Sequence, residues 1–215
     1  MAYPAPVEAL IDAFERFPGI GRRSAERLAL HVLRDARARE LGPAIERAVR
    51  DTVRCSVCRN VAESDPCSVC ADPQRDGRTI CVVEEPRHVE ALERAGVYRG
   101  RYHVLMGSFQ PAEGTEARQL TLDALLARLA ASDAAGRSKG AEPAEPIEEV
   151  ILALDPDAGG DATALLVLEA LERARVSARV TRLARGLPAG GGIEYLHKGV
   201  LEEALEERRP VRRRG

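Results

Sequence analysis

Apolar side chains near the start of the chain recur at the spacing of a helix. They lie three or four positions apart before a break at Pro18-Gly19-Ile20-Gly21, and a second set follows that break. The two sets are Val7, Leu10, Ile11, Phe14 and Phe17, then Ala25, Leu28, Ala29 and Val32. The pattern predicts two short helices joined by a glycine hairpin, and a third helix from about Pro43 to Arg54.

After Asp76 the pattern changes to short β-branched runs that alternate with helical stretches. The predicted strands are 79–84, 102–106, 149–154 and 178–184, and the predicted helices are 86–94, 122–131, 161–175 and 198–208. A segment rich in Ala, Gly, Pro and charge, 133–146, is typical of a surface linker. Because strands that alternate with helices form parallel sheets, we expect a mostly parallel sheet covered by helices.

Composition excludes several classes of protein. The chain has 215 residues, of which 45% are hydrophobic and 31% charged, so it is neither disordered nor collagen-like. No apolar run approaches the length of a membrane span, and Met1 to Pro6 lacks the features of a signal peptide, so we expect a soluble, cytoplasmic protein. The net charge is only -2, so any nucleic-acid site must be local.

Four cysteines form two close pairs, Cys55-x2-Cys58 and Cys67-x2-Cys70. Two such pairs can bring four thiolates together around one Zn²⁺, and four thiolates leave no open position for water or substrate. The spacing therefore predicts a structural zinc finger. Unligated or disulfide-paired thiols are the alternative, which the expected compartment disfavours. Cys81 lies in an apolar strand and is expected to be a core residue.

The glycine hairpin and the helix after it have the form of a helix-hairpin-helix. Two glycines allow close approach to a phosphate, and free amides at the next helix N-terminus can donate to it. The residues up to Arg59 include 11 basic and eight acidic ones, a local surplus of positive charge. The predicted DNA contacts are Gly19, Gly21, Arg22, Arg23, Arg27 and Arg34. An ordinary solvated helix face is the alternative interpretation.

Acidic residues follow two of the predicted strands. Glu84 ends the first, and Asp155-Pro156-Asp157 ends a later one. Because the carboxyl ends of parallel strands meet at one edge of a sheet, Glu84, Asp155 and Asp157 could form a site for Mg²⁺, which prefers oxygen ligands. Strand-end and helix-capping roles explain the same acids equally well, so both interpretations stay open.

In this order, the motifs resemble the RecR family of bacterial recombination mediators over nearly the whole chain. The segments that carry the resemblance are 17–33, 55–70, 79–86 (TICVVEEP) and 186–195 (GLPAGGGIEY). The resemblance implies a Toprim domain and a non-enzymatic DNA-repair protein. It also implies a homo-oligomeric ring, typically a tetramer, that works with RecO or RecF. Such a protein helps load RecA onto single-stranded DNA that is covered by its binding protein.

Two features depart from the family pattern. The family commonly has Pro and Lys after the second hairpin glycine, where this chain has Arg22 and Arg23. Arg23 keeps the positive charge, so DNA binding is still expected. The family's Toprim domain usually lacks the pair Asp155 and Asp157, which catalytic Toprim enzymes carry.

The expected fold class is α+β multidomain. It comprises a helix-hairpin-helix domain (1–54), a four-cysteine zinc finger (55–76), a Toprim domain (77–184) and a C-terminal helical arm (185–215). The favoured function is a DNA-binding mediator without catalysis. The rivals are a Mg²⁺-dependent Toprim enzyme that cleaves or transfers phosphodiesters, and an adaptor whose hairpin contacts protein. Gly136 to Gly140 lacks the spacing of a P-loop, so no ATPase is expected.

Overall fold

The chain divides into two compact units, one ending at Thr52 and the other beginning at Val53. A computed structural model describes residues 3–111, 114, 116–137, 146–184 and 198–206. None of the helices in this described part combines the length and apolar character that a bilayer crossing requires. The segment 186–195, which carries part of the family resemblance, lies outside the described residues.

The first unit is helical. It contains α1 (Ala5–Glu15), α2 (Arg22–Arg34) and α3 (Leu41–Asp51), with a short 3₁₀ turn before α3. Ile11, Ala25 and Ala29 form its buried core, so the helix pair that the apolar spacing predicts is confirmed. Small alanines at the contact allow α1 and α2 to pack closely.

Two expectations for this unit are wrong. The third helix ends at Asp51 rather than Arg54, because Val53 and Arg54 pair with the next strand instead. The apolar spacing also places Leu28 with Ala25 and Ala29 on the side of α2 that packs, but Leu28 is 38% exposed. The contact with α1 is made by Ala25 and Ala29, and Leu28 lies at the margin of that contact.

The second unit begins with the cysteine segment and continues into a four-stranded sheet. The cysteine segment contains the hairpin β1 (Val53–Arg54) and β2 (Val61–Ala62) and the single turn α4 (Ser68–Ala71). The sheet strands are β3 (Asp76–Val83), β4 (Gly100–Val104), β5 (Glu149–Ala153) and β6 (Arg179–Arg182). All neighbours are parallel in the order β4-β3-β5-β6, which confirms the expected parallel sheet.

Helices connect these strands. They are α5 (Pro86–Ala95), α6 (Leu122–Arg137) and α7 (Ala158–Arg173), and α8 (Lys198–Glu206) follows β6. The central strand β3 is buried on both faces, since Ile80 and Val82 belong to one apolar cluster and Cys81 and Val83 to the other. Cys81 is therefore a core residue, as expected.

Several predicted bounds shift by a few residues. The helix predicted to end near Ala131 continues to Arg137, so the first part of the predicted linker is helical, and 138–145 lie outside the described residues. Its Ala-rich sequence has high helix propensity, which explains the extension. The helix predicted from Asp161 begins at Ala158, because Asp157 caps it. The predicted end of α8 at Arg208 also lies outside the described residues.

His103 is a titratable group inside this second unit. Its ring is fully buried, and Nε2 lies 3.0 Å from the Thr121 hydroxyl oxygen. Burial, together with the nearby Arg128 and Arg59 charges, lowers the pKa of His103 to about 4, although the hydrogen bond to the Thr121 backbone opposes the shift. The folded protein therefore holds a neutral imidazole where the unfolded chain would bind a proton below about pH 6.5.

Acid is expected to destabilise the fold through this histidine. The pKa of His103 is lower in the folded protein than in the unfolded chain. The stability that the neutral ring contributes is therefore complete above about pH 6.5 and decreases as the pH falls towards 4. Between pH 6.5 and 5 the free energy of unfolding should decrease by an amount on the order of 1.5 kcal/mol. Denaturant unfolding at both values should show a smaller loss for His103→Gln, which takes up no proton. Equal pH dependence in the two proteins would contradict the assignment.

Candidate nucleic-acid interface and metal centres

The hairpin between α1 and α2 is a tight turn that only glycine suits. The backbone N–H of Ile20 donates to the Phe17 carbonyl at 3.1 Å, and Gly19 has φ +77°. Pro18 before Gly19 places proline and glycine where a type II turn needs them. Gly21 caps α2 and has no side chain to bond the first-turn amides. The expected arrangement of turn and free helix N-terminus is present.

The hairpin backbone is also open. A Cβ atom built on Gly19 or Gly21 would meet no atom within 4 Å among the described residues. A phosphate can therefore approach the first-turn amides of α2 closely, and the helix dipole favours its negative charge.

Three of the predicted arginines lie exposed on α2. Arg23, Arg27 and Arg34 form no ion pair with any residue in the described ranges. Arg27 and Arg34 line a shallow groove of about 550 Å³ together with Ile20, Ser24, Leu28, Leu30 and His31. Unpaired guanidinium groups beside an open hairpin are suited to bind the phosphates of a nucleic-acid backbone.

Arg22 differs from its neighbours, because it faces α1. Its guanidinium donates to Asp12 at 2.9 Å and also to Glu8, and Glu15 lies within 3.6 Å. These acidic side chains hold Arg22 across the two helices and compete with any phosphate. The structure thus gives this predicted DNA contact a helix-pairing role.

The four cysteines of the predicted zinc finger converge. Their four sulfur atoms all lie within 4.8 Å of one another, and they belong to Cys55, Cys58, Cys67 and Cys70. The Cys58 and Cys67 sulfurs are 3.6 Å apart. A tetrahedral Zn²⁺ with bonds of about 2.3 Å requires edges of about 3.8 Å, so the cluster fits the ion. None of the five cysteines is in a disulfide.

Backbone hydrogen bonds shape both cysteine pairs. In the first, Arg59 N–H donates to the Cys55 carbonyl at 3.0 Å, and Arg59 adopts φ +67° to turn the chain. In the second, Ala71 N–H donates to the Cys67 carbonyl at 2.9 Å. These turns point both thiols of each pair in the same direction.

Cys58 and Cys70 differ in how readily their thiols ionise. Hydrogen bonding from Cys70 lowers the pKa of Cys58 to about 5, whereas the same contact and burial raise the pKa of Cys70 far above its usual value. The Cys58 thiolate thus forms readily, whereas burial and the neighbouring thiols oppose ionisation of Cys67 and Cys70 until a cation compensates the charge. Zn²⁺ supplies that charge, and its binding releases protons.

The zinc finger is attached to the sheet of the same unit. The backbone N–H of Val104, at the end of β4, donates to the Cys58 carbonyl at 2.8 Å. Arg128 of α6 is largely buried, donates to the Tyr102 carbonyl at 2.7 Å, and its charge attracts the Cys58 and Cys70 sulfurs. A four-thiolate zinc site has a net negative charge, which Arg128 offsets.

A second cluster lies at the carboxyl edge of the sheet. One ligand atom from each of Glu84, His88 and Asp155 lies within 4.8 Å of the others. Glu84 is only 3% exposed, and its Oε2 accepts a hydrogen bond from the Asp155 amide at 3.3 Å. Burial, together with the charges of Asp155 and Asp157, raises the pKa of Glu84 to about 7, although the hydrogen bond from the Asp155 amide opposes the shift.

Asp157 has a different role from the other two predicted acids. Its Oδ1 accepts a hydrogen bond from Gly160 N–H at 2.8 Å and caps α7. His88, which the sequence analysis missed, joins Glu84 and Asp155 instead. A signal was present in the sequence, because α5 starts at Pro86 directly after the strand and places His88 in its first turn.

Comparison with known protein families accounts for three segments of the chain. Residues 7–49 match the RecR helix-hairpin-helix, residues 52–72 match the RecR zinc finger domain with four cysteines, and residues 78–184 match the Toprim domain. The matches follow the order of the hairpin, the cysteine cluster and the parallel sheet.

Curated proteins similar to the chain include several called Recombination protein RecR. The one from Roseiflexus castenholzii is 45% identical over 97% of this chain and 95% of its own length. The one from Moorella thermoacetica is 43% identical over 97% of this chain and 98% of its own length. Because the identity extends over nearly the full length and the three segments occur together, the chain belongs to the RecR family.

Proposed function

We propose that the protein acts in recombinational DNA repair as a DNA-binding mediator that does not cut DNA. The observation that supports this most directly is the open hairpin with Arg23, Arg27 and Arg34 unpaired among the described residues. Phosphate contacts of this kind bind without reading sequence. A mediator that must act wherever DNA is damaged requires this property.

Assembly completes the proposal. One hairpin offers few phosphate contacts, so a homo-oligomeric ring, typically a tetramer, would supply affinity through several copies. By family resemblance, the protein would work with RecO and RecF to load RecA onto single-stranded DNA. It would do so in the cytoplasm. The domain division is also part of the proposal. Residues 1–54 would bind DNA, 55–76 would bind zinc, 77–184 would form the Toprim domain and 185–215 would form the arm.

A weak divalent-cation site is the second component. Glu84 and Asp155 bring carboxylates together at the sheet edge, and a cation such as Mg²⁺ would relieve their repulsion. The same observation favours the rival function, a Mg²⁺-dependent Toprim enzyme. We favour a supporting role for the cation in DNA or partner engagement.

A loading assay tests this function. RecA assembly on single-stranded DNA covered by its binding protein should be accelerated by this protein together with RecO. The Arg23→Ala, Arg27→Ala double variant should lose most of the acceleration, because two phosphate contacts are removed. Arg94→Ala is a matched control, since Arg94 is exposed on α5 and pairs only with Glu90 among described residues.

Two results would count against the proposal. The first is a double variant that loads RecA as well as Arg94→Ala does. The second is nicking of supercoiled plasmid with Mg²⁺ or Mn²⁺ that is absent from the Asp155→Asn, Asp157→Asn variant, which would support the enzyme.

A further inference from the structure

We propose that Glu84, His88 and Asp155 form a site that selects a first-row transition-metal cation, with Mn²⁺ bound more tightly than Mg²⁺. The inference rests on the cation proposed above for Glu84 and Asp155, and it adds the third ligand and the class of metal. In this arrangement His88, and not Asp157, completes the protein ligands.

The buried glutamate is the first observation. Glu84 is 3% exposed, and its Oε1 has no hydrogen-bond partner among the described residues. An unpaired carboxylate oxygen inside a protein is costly unless a proton or cation compensates it. Oε2 is bonded to the Asp155 amide, which fixes the carboxylate beside the other ligands.

The histidine is the second observation. The His88 side chain is mostly buried, with 17% exposed, and its Nε2 lies 3.6 Å from Asp155 Oδ1. A metal ion that bridges the two would need only small side-chain adjustments. Imidazole nitrogen is a good ligand for first-row transition metals, whereas Mg²⁺ prefers oxygen in octahedral geometry. Replacing a carboxylate by imidazole therefore shifts the preference away from Mg²⁺.

The acid that the sequence suggested as third ligand already has a partner. Asp157 accepts the Gly160 amide at 2.8 Å as the cap of α7, and turning it towards Glu84 would break that bond. Loss of that cap would destabilise α7. Asn caps helices as well as Asp does, so Asp157→Asn removes the charge and preserves the cap.

Arg87 places a positive charge beside two of the three ligands. Its Nε donates to His88 Nε2 at 3.2 Å, and Nη2 lies 3.8 Å from Asp155 Oδ2. The side chain is 67% exposed, so it can leave into solvent. A metal ion must displace this guanidinium from the same two ligands. Removing Arg87 should consequently strengthen metal binding.

The experiment is a titration of the zinc-loaded full chain with Mn²⁺, in which electron paramagnetic resonance measures the free ion. A Mg²⁺ competition gives the preference between the metals. We expect one Mn²⁺ per chain, bound at least about tenfold more weakly by His88→Ala. Asp157→Asn should bind within about twofold of the original protein, and Arg87→Ala about threefold more tightly. Circular dichroism and zinc content confirm that each variant is folded.

The outcomes separate the two proposals. If Glu84→Gln binds Mn²⁺ as well as the original protein does, the cation site itself is refuted. If Glu84→Gln loses binding while His88→Ala keeps both affinity and metal preference, only the histidine ligand is refuted. Loss of binding in Asp157→Asn, with His88→Ala unchanged, would assign the site to the aspartate pair.

Discussion

Replacing Cys58 or Cys70 by serine is expected to destabilise the second unit severely. The segment 53–72 contains only two two-residue strands and one helical turn, so it has little apolar packing of its own. Structural zinc contributes about 10 kcal/mol or more of binding free energy in isolated fingers, and part of that is folding free energy. A loss on the order of 3 kcal/mol or more in the free energy of unfolding should follow.

Metal analysis and thermal unfolding check this result. The original protein should contain about one zinc ion per chain, and each serine variant less. Cys81→Ala is the control, because it removes a thiol from the core without touching the zinc ligands. DNA affinity of the fraction that stays folded should change little. Metal-free protein with an unchanged melting temperature would refute the structural role of zinc.

The Arg23→Ala, Arg27→Ala double variant is expected to lose most DNA binding without losing stability. Each exposed guanidinium that contacts a phosphate releases a counterion, so the slope of log K against log salt should fall by about 0.7 per contact on single strands. Two lost contacts per hairpin reduce the slope by about 1.4, and the affinity at low salt should fall at least about tenfold.

Arg22→Ala is the informative comparison for this variant. Arg22 binds acidic residues of α1, so its loss should lower the free energy of unfolding only slightly, since these ion pairs are exposed. The salt slope should stay near that of the original protein. Fluorescence anisotropy with oligonucleotides at several salt concentrations measures both slopes. A double variant with the original slope would show that the hairpin is not the DNA site.

The parts of the molecule that depend on short sequence separation could be predicted. Gly19 and Gly21 specify the hairpin locally, and the cysteine spacing specifies the zinc finger, because neighbouring residues contain the whole signal. The parallel sheet followed from the alternation of strands and helices. The burial of Cys81 followed from its apolar strand.

What could not be predicted depends on contacts between distant elements. The role of Arg22 is set by Glu8 and Asp12 on another helix, and helical periodicity of α2 alone does not show them. Glu84 and Asp155 are far apart in sequence, and only the folded sheet brings them together. Whether His88 or Asp157 lies beside them depends on where α5 and α7 begin. The cap at Asp157 decided that choice.

The hydrogen bond from Val104 to Cys58 also bears on aggregation. β4 is an edge strand, and edge strands with free backbone groups can pair with another chain. Among the described strands β6 forms the opposite edge, and it is short and has Arg179 and Arg182 at its ends, which discourages such pairing. β4 instead has the Cys58 turn bonded to its last residue. By holding that turn, zinc covers the carboxyl end of β4 against unwanted strand addition, and a metal-depleted protein would present that end to its neighbours as a template for insoluble association.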